Sequence, residues 1–300
     1  MKKRKKLELL DIVVYAALIL ITLIILYPLY FTVIASLSEP SEVVQGNVIF
    51  WIKGFTTESY VNVFENKDIW RGYYNNIVYT VFGTMLAMAL TIPAAYALSK
   101  KYLWNRNLVV TYFVIVMYFS GGLLPSYLQV KNLDLLNKPY TLIILGSFSV
   151  YNLVIARTYF QTSIPESLYE AAEIDGCSQI GAFFKIALPL AKPIIAVITL
   201  YYAVGRWNNY FSALIYVSKS KYHPLQMVLR SILMESKNAL ANIKPETMEM
   251  DQIEYFMQRA YMAEAMKYSI ILIASLPMLI LYPFIQKHFI KGMMVGAVKG

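Results

Sequence analysis

The chain has 300 residues, 58% of them hydrophobic and only 15% charged, with a mean hydropathy of +0.50 and a formal net charge of +9. Soluble domains carry about 25% charged residues. This composition therefore excludes a soluble enzyme with a polar skin, and it excludes intrinsic disorder.

The N-terminus opens with Lys2-Lys3-Arg4-Lys5-Lys6, and no Asp, Glu, Lys or Arg falls between Asp11 and Glu39, a gap of 27 residues. A bilayer core about 30 Å thick needs roughly 20 helical residues. The apolar run exceeds the roughly 7–15 residues of a signal-peptide core, and no small-x-small site closes it, so it reads as a signal-anchor that stays. The loop 38–72 carries turn residues Pro40, Gly46, Gly54 and Gly72. Positions 72–99, 107–130, 139–156 and 268–286 are uncharged, and 193–218 holds a single charge, Arg206. The run 139–156 reaches span length through Thr158–Ile164 if Arg157 snorkels to the interface. The chain thus reads as an all-α, polytopic membrane protein with six transmembrane helices in one domain covering 1–300. The spans lie near 12–36, 73–98, 107–130, 139–162, 193–217 and 268–287. They are apolar all round, as lipid-facing helices are. Within the third, Ser120-Gly121-Gly122 with Pro125 reads as a packing kink in preference to a broken helix. In the long loop 218–267, Pro224 to Met234 suits a short amphipathic helix, and 254–267 extends the sixth span outward.

Charge sets the orientation. With the N-terminus inside, the segments 1–11, 99–107, 157–192 and 286–300 hold 14 Lys and Arg. The longer outside segments 38–72, 131–139 and 218–267 hold 12. The higher basic density belongs in the cytoplasm, so both termini and the loop 163–189 are expected there. The basic residues form no stripe on a polar fold, and no nucleic acid is expected as a partner.

Loop 163–189 is polar, capped and patterned. Ser163 and Glu166 have capping-box spacing, with Pro165 in the first turn. Leu168, Ala171, Ala172 and Ile174 fall on one face, and Gly176 is placed to stop the helix. Ser178 is placed to cap a second helix that Pro189 ends. Two short helices around a glycine make a knob suited to a groove in a partner. An ordinary solvated loop is the equal alternative on these grounds.

Arg206 is the one charge well inside a span, which marks a functional candidate. It sits in Gly205-Arg-Trp207-Asn208-Asn209-Tyr210. A flat ring beside amides suits the CH faces and hydroxyls of a sugar. Asn75 and Asn76, at the outer start of the second span, join this candidate path. The alternative is pairing and packing within the bundle. No catalytic set is present. Gly176-x4-Gly181 is followed by Ala182-Phe183, so it lacks a phosphate lysine. His223 and His288 fall on opposite sides of the membrane, and the single cysteine, Cys177, excludes an internal disulfide or a cysteine metal cluster.

Glu170-Ala171-Ala172, three residues, Gly176, nine residues, then Ile186-x-Leu188-Pro189 resembles the EAA signature of ABC-importer permeases. The tail from Tyr282 to Gly300 is similar to that of the maltose-type, carbohydrate-uptake permeases, especially the oligosaccharide branch. The resemblance covers essentially the whole chain. It implies a type I importer fold and a non-catalytic subunit of a bacterial cell-membrane importer. It also implies a second homologous permease in a heterodimer, two cytoplasmic ATPases that bind the ATP and Mg, and an extracellular solute-binding lipoprotein that delivers an oligosaccharide. Glu170, Ala171, Ala172, Asp175 and Gly176 would then couple to the ATPases. Gly292, Gly296 and Lys299 of the tail would reach between them. Against this stands an ATP-independent secondary transporter or channel, which has no reason to carry that knob.

Overall fold

The computed structural model describes residues 9–119, 121–241 and 250–297, and no strand occurs among them. In chain order the first helices are α1 (Leu9–Ser36), α2 (Pro40–Val44), α3 (Glu58–Glu65) and α4 (Lys67–Ser99). α5 (Arg106–Tyr118), α6 (Leu123–Asn132), α7 (Thr141–Ile144) and α8 (Val150–Thr162) follow. The loop 163–189 contains α9 (Glu166–Ile174) and α10 (Gln179–Ala182); a π-helical turn, Phe183–Ala187, leads into α11 (Leu188–Leu190). The chain continues through α12 (Lys192–Trp207), α13 (Phe211–Tyr216), α14 (Leu225–Ala241) and α15 (Met250–Ala297).

Among the described residues, three helices are long and apolar enough to cross a membrane: Leu10–Ser36, Lys67–Ser99 and Met250–Ile280. The other expected spans are interrupted. The third is two helices rather than one kinked helix, because Phe119 is extended and Gly122 adopts φ +87 with ψ 174, a region open to glycine. The fourth, 139–162, is also discontinuous. α7 ends in an extended Leu145, Gly146 sits at φ +73, and Ser149 caps α8 by accepting from the Asn152 amide. α8 has 13 residues, about 20 Å, which is short of the hydrocarbon core. The fifth is α12 and α13 separated at Asn208–Tyr210. The helical extensions fall as expected: α15 begins at Met250, and α14 covers the amphipathic stretch after Pro224.

The residues form two compact units. One comprises residues up to 69 together with 229–275. Its core joins the end of α1 to the following loop through Ile34, Ala35, Val43 and Val48, beside Phe31 and Tyr268. The Phe31 and Tyr268 rings meet edge to face at 5.6 Å. The Tyr27 and Tyr30 hydroxyls donate to the carbonyls of Ile49 and Phe50, which fastens that loop to α1. Most large apolar side chains of α1 from Leu10 to Leu29 stay exposed within this unit, a surface that lipid can cover.

The second unit comprises residues 70–228 and 276 onward. Ala87, Ala95, Ala156, Ala187 and Ala191 are wholly buried in its core with Leu153 and Ile198. Small residues at crossings let helix backbones approach closely, which is how helices gain packing where no hydrophobic force drives them together. Tyr202 of α12 ties three elements. Its hydroxyl is 2.7 Å from the Thr91 hydroxyl of α4 and accepts from the Ser149 amide at the head of α8 at 3.0 Å.

Candidate functional site

The knob is built around a glycine turn. The Cys177 amide donates to the Ala172 carbonyl at 2.8 Å and the Gly176 amide to Glu173 at 3.0 Å, with Gly176 at φ +76. These two bonds close the Schellman motif expected of a C′ glycine and satisfy carbonyls that the helix leaves over. Ser178 caps α10 by accepting from the Gly181 amide at 3.1 Å, a bond that contributes about 1 kcal/mol.

Two expectations for this loop are corrected. There is no capping box: Pro165 is the N-cap of α9, and Ser163 instead closes α8, its amide donating to Tyr159. The Glu166 carboxylate is drawn away to Lys101. Nor does Pro189 end the second helix. It occupies the first turn of α11, and the turn widens to π just before it, because a proline has no N–H for the carbonyl four residues back and its ring crowds that carbonyl. The bend comes at Ala191, where the 179–190 stretch and α12 meet at 80°.

No residue of α9 is buried. Leu168, Ile174, Ile180 and Phe184 are 43%, 86%, 72% and 60% exposed, an apolar surface beside Glu170, Ala171 and Asp175. Inward, Tyr169 meets Tyr96 of α4 with ring centres 6.0 Å apart, and the Lys100 ammonium lies 2.8 Å from the Tyr169 ring centre and 4.7 Å from that of Tyr96. Burial pushes the Tyr169 hydroxyl up to about 12 and lowers Lys100 to about 8, the nearby Glu166 carboxylate opposing the latter. Cation–ring contacts stabilise by about 0.5–2 kcal/mol. The solvent-exposed Lys101–Glu166 pair contributes about 0–1 kcal/mol, so the rings hold the knob more than that ion pair does. Sequence reading missed Tyr96, Lys100 and Tyr169. Spacing within α9 does not reveal a partner about 70 positions away.

At the α12–α13 break the seven expected path residues separate into two groups. Asn208, Asn209 and Tyr210 are exposed. The Asn208 side chain donates to the Val204 carbonyl, and Asn209 holds Ser212 through its amide and hydroxyl, restarting the chain as α13. The other four form the frame. Arg206 Nη1 donates to the Leu142 carbonyl at 2.9 Å and Nη2 to Ser147 Oγ at 3.2 Å, while its Nε is buried without a partner. Gly83 of α4 leaves room for this guanidinium; a Cβ there would lie 2.2 Å from Nη1. Trp207 is 3% exposed and meets Tyr73 edge to face at 5.7 Å. Asn76, 1% exposed, donates to the Trp207 carbonyl at 3.2 Å. Asn75 donates to the carbonyls of Lys221 and His223, each at 3.0 Å. A cavity of about 10 Å³ touches Asn76, Tyr79, Leu142, Arg206, Asn209 and Pro224. That is room for about one water and not for a sugar ring.

Gly292 and Gly296 lie within α15, and Lys299 lies outside the described residues.

Comparison with known proteins accords with this architecture. The family model of the binding-protein-dependent transport system inner membrane component matches residues 69–295. Protein LplC of Bacillus subtilis (strain 168) is 41% identical over 278 residues, 92% of this chain and 90% of the relative. The polygalacturonan/rhamnogalacturonan transport system permease protein YtcP of the same organism is 37% identical over 293 residues, 98% of this chain and 99% of the relative. A chain in the crystal structure of a bacterial ABC transporter that imports the acidic polysaccharide alginate superposes with a TM-score of 0.82 at 30% identity, covering 96% of this chain and 99% of that one. With a match over most of its length, an all-helical fold and spans apolar enough for a bilayer, the chain belongs to the inner membrane components of binding-protein-dependent transport systems: it is a membrane-embedded ABC importer permease and not itself an enzyme.

Proposed function

We propose that this chain pairs with a second homologous permease to move an oligosaccharide bearing carboxylate groups inward. Two cytoplasmic ATPases, which bind the ATP and Mg, dock below, and an extracellular binding lipoprotein delivers the solute. The observation that carries the reading is the α9 knob, a well-closed helix whose Leu168 and Ile174 stay exposed among the described residues, beside Ile180 and Phe184. Such a surface suits a partner's groove. Glu170, Ala171, Ala172, Asp175 and Gly176 are its contact residues, with Gly292, Gly296 and Lys299 of the tail as a second contact. Both termini and the knob face the cytoplasm. The acidic solute class rests on YtcP and the alginate importer, whose names concern acidic polysaccharides.

Within the membrane we assign Asn208, Asn209 and Tyr210 to the solute path. Arg206, Trp207, Asn75 and Asn76 support it by holding the break open. ATP-driven closure of the ATPases would rock the spans and expose this region to each side in turn.

The test is co-purification followed by uptake. A tagged chain is expected to bring down an ATPase and a second permease. Cells are expected to import labelled trigalacturonate well above maltotriose. Equal uptake of the two would remove the acidic solute class, and failure to bring down an ATPase would remove the importer assembly.

A further inference from the structure

The residues that follow α4 each hold a different part of the knob. Lys100 places its ammonium over the Tyr169 ring of α9, at 2.8 Å from the ring centre. The Tyr102 hydroxyl donates to Gln179 Oε1, at the start of α10, at 2.9 Å. Tyr96, still within α4, lies 6.0 Å from the ring centre of Tyr169, 5.0 Å from Phe183 and 5.7 Å from Phe160. Both knob helices are therefore tied to the end of one span.

That end is itself fixed. Arg157 Nε donates to the Leu98 carbonyl at 3.0 Å, and Gln161 Nε2 to the Ser99 carbonyl at 3.5 Å. Carbonyls in the last turn of a helix have no intrahelical donor, so α8 supplies donors to two of them. Twenty residues up the same helix from Tyr96, about 30 Å along an ideal helix, Asn76 holds the Trp207 carbonyl, and between the two Gly83 makes room for Arg206. One helix thus joins the knob at one end to the α12–α13 break at the other. A single contact would leave the knob free to pivot on that end. Contacts to two knob helices fix its angle as well as its position.

We infer that Tyr96, Lys100 and Tyr102 form a joint that makes the knob and α4 move as one body, so that α4 delivers a push on the knob to the α12–α13 break. They are positioning residues, and the inference rests on the docking role proposed for the knob.

Cys177, the sole cysteine, lies in the knob and provides the reporter. A nitroxide attached to it in the purified importer is expected to give an immobilised spectrum. Lys100→Ala combined with Tyr102→Phe should add a mobile component, while Lys100→Arg should not. In the reconstituted importer the double variant should keep at least half of its ATP hydrolysis while importing trigalacturonate tenfold less per ATP. If the double variant does not assemble, Tyr102→Phe alone is read, with import per ATP at least threefold lower. An unchanged spectrum overturns the joint. A loosened knob with normal import per ATP overturns the transmission. Ala172→Trp separates the two readings. If it blocks import while the double variant imports normally, the joint is wrong and the docking role stands. If Ala172→Trp imports normally with the ATPase still bound, the docking role itself fails.

Discussion

Gly176 shows what one backbone angle decides. At φ +76 with two amide-to-carbonyl bonds across it, it turns the chain between α9 and α10. A side chain there costs about 1–2 kcal/mol of backbone strain. Gly176→Val is therefore expected to block uptake while membrane abundance, read by immunoblot, stays normal. Lys100 makes a titration prediction. Burial lowers its native pKa to about 8 from 10.5. Between those values the unfolded chain binds more protons than the native one, so stability rises with pH across that window. Below pH 8 the full penalty of a half-buried charge is present. Melting of the purified protein from pH 7.5 to 10 should show this rise, and Lys100→Met should flatten it. Gly83→Ala is the third residue-scale case. Its new Cβ would displace the Arg206 guanidinium from Leu142 and Ser147 and leave buried donors unsatisfied, at about 1–3 kcal/mol. A lower melting temperature measures it.

Among the elements, the uninterrupted spans and the glycine turn of the knob were the most legible before folding, and the interrupted spans the least. Gly176 and Ser178 act at the ends where a glycine and a serine of their spacing should act, because cap chemistry is local. Ser178→Ala should speed hydrogen exchange at the Gly181 amide and cost about 1 kcal/mol. The breaks marked by Phe119 and Gly122, by 145–149 and by 208–210 were less legible, because hydropathy reads transfer to lipid and not backbone angle. An apolar stretch has the same composition whether it runs straight or bends. Non-helical backbone at such depth is tolerated where protein or an aqueous cavity receives its polar groups. The amide of Ser149, extended in the break before α8, donating to the Tyr202 hydroxyl is one instance.

For the whole molecule, partition of charge is the main result. The +9 is not a basic face: Arg206 accounts for one unit, the proposed cytoplasmic segments for +8 and the outer segments for zero. The orientation has a direct check in Cys177. A membrane-impermeant maleimide should leave it unlabelled in intact spheroplasts and label it after permeabilisation; labelling before would invert the topology. Composition by itself excluded a soluble domain, and the lengths of the charge-free runs determined a helical membrane protein, since a helix needs about 20 apolar residues to cross a bilayer. Local spacing determined the Gly176 turn and the Ser178 cap of the knob, since turns and caps span only a few residues. Only the tertiary structure decided that Arg206, Trp207, Asn75 and Asn76 frame the break while Asn208–Tyr210 stay exposed, and that Tyr96, Lys100 and Tyr169 grip the knob. Those assignments depend on which partner each side chain meets across 60 to 150 positions of chain, and sequence spacing does not encode those distances.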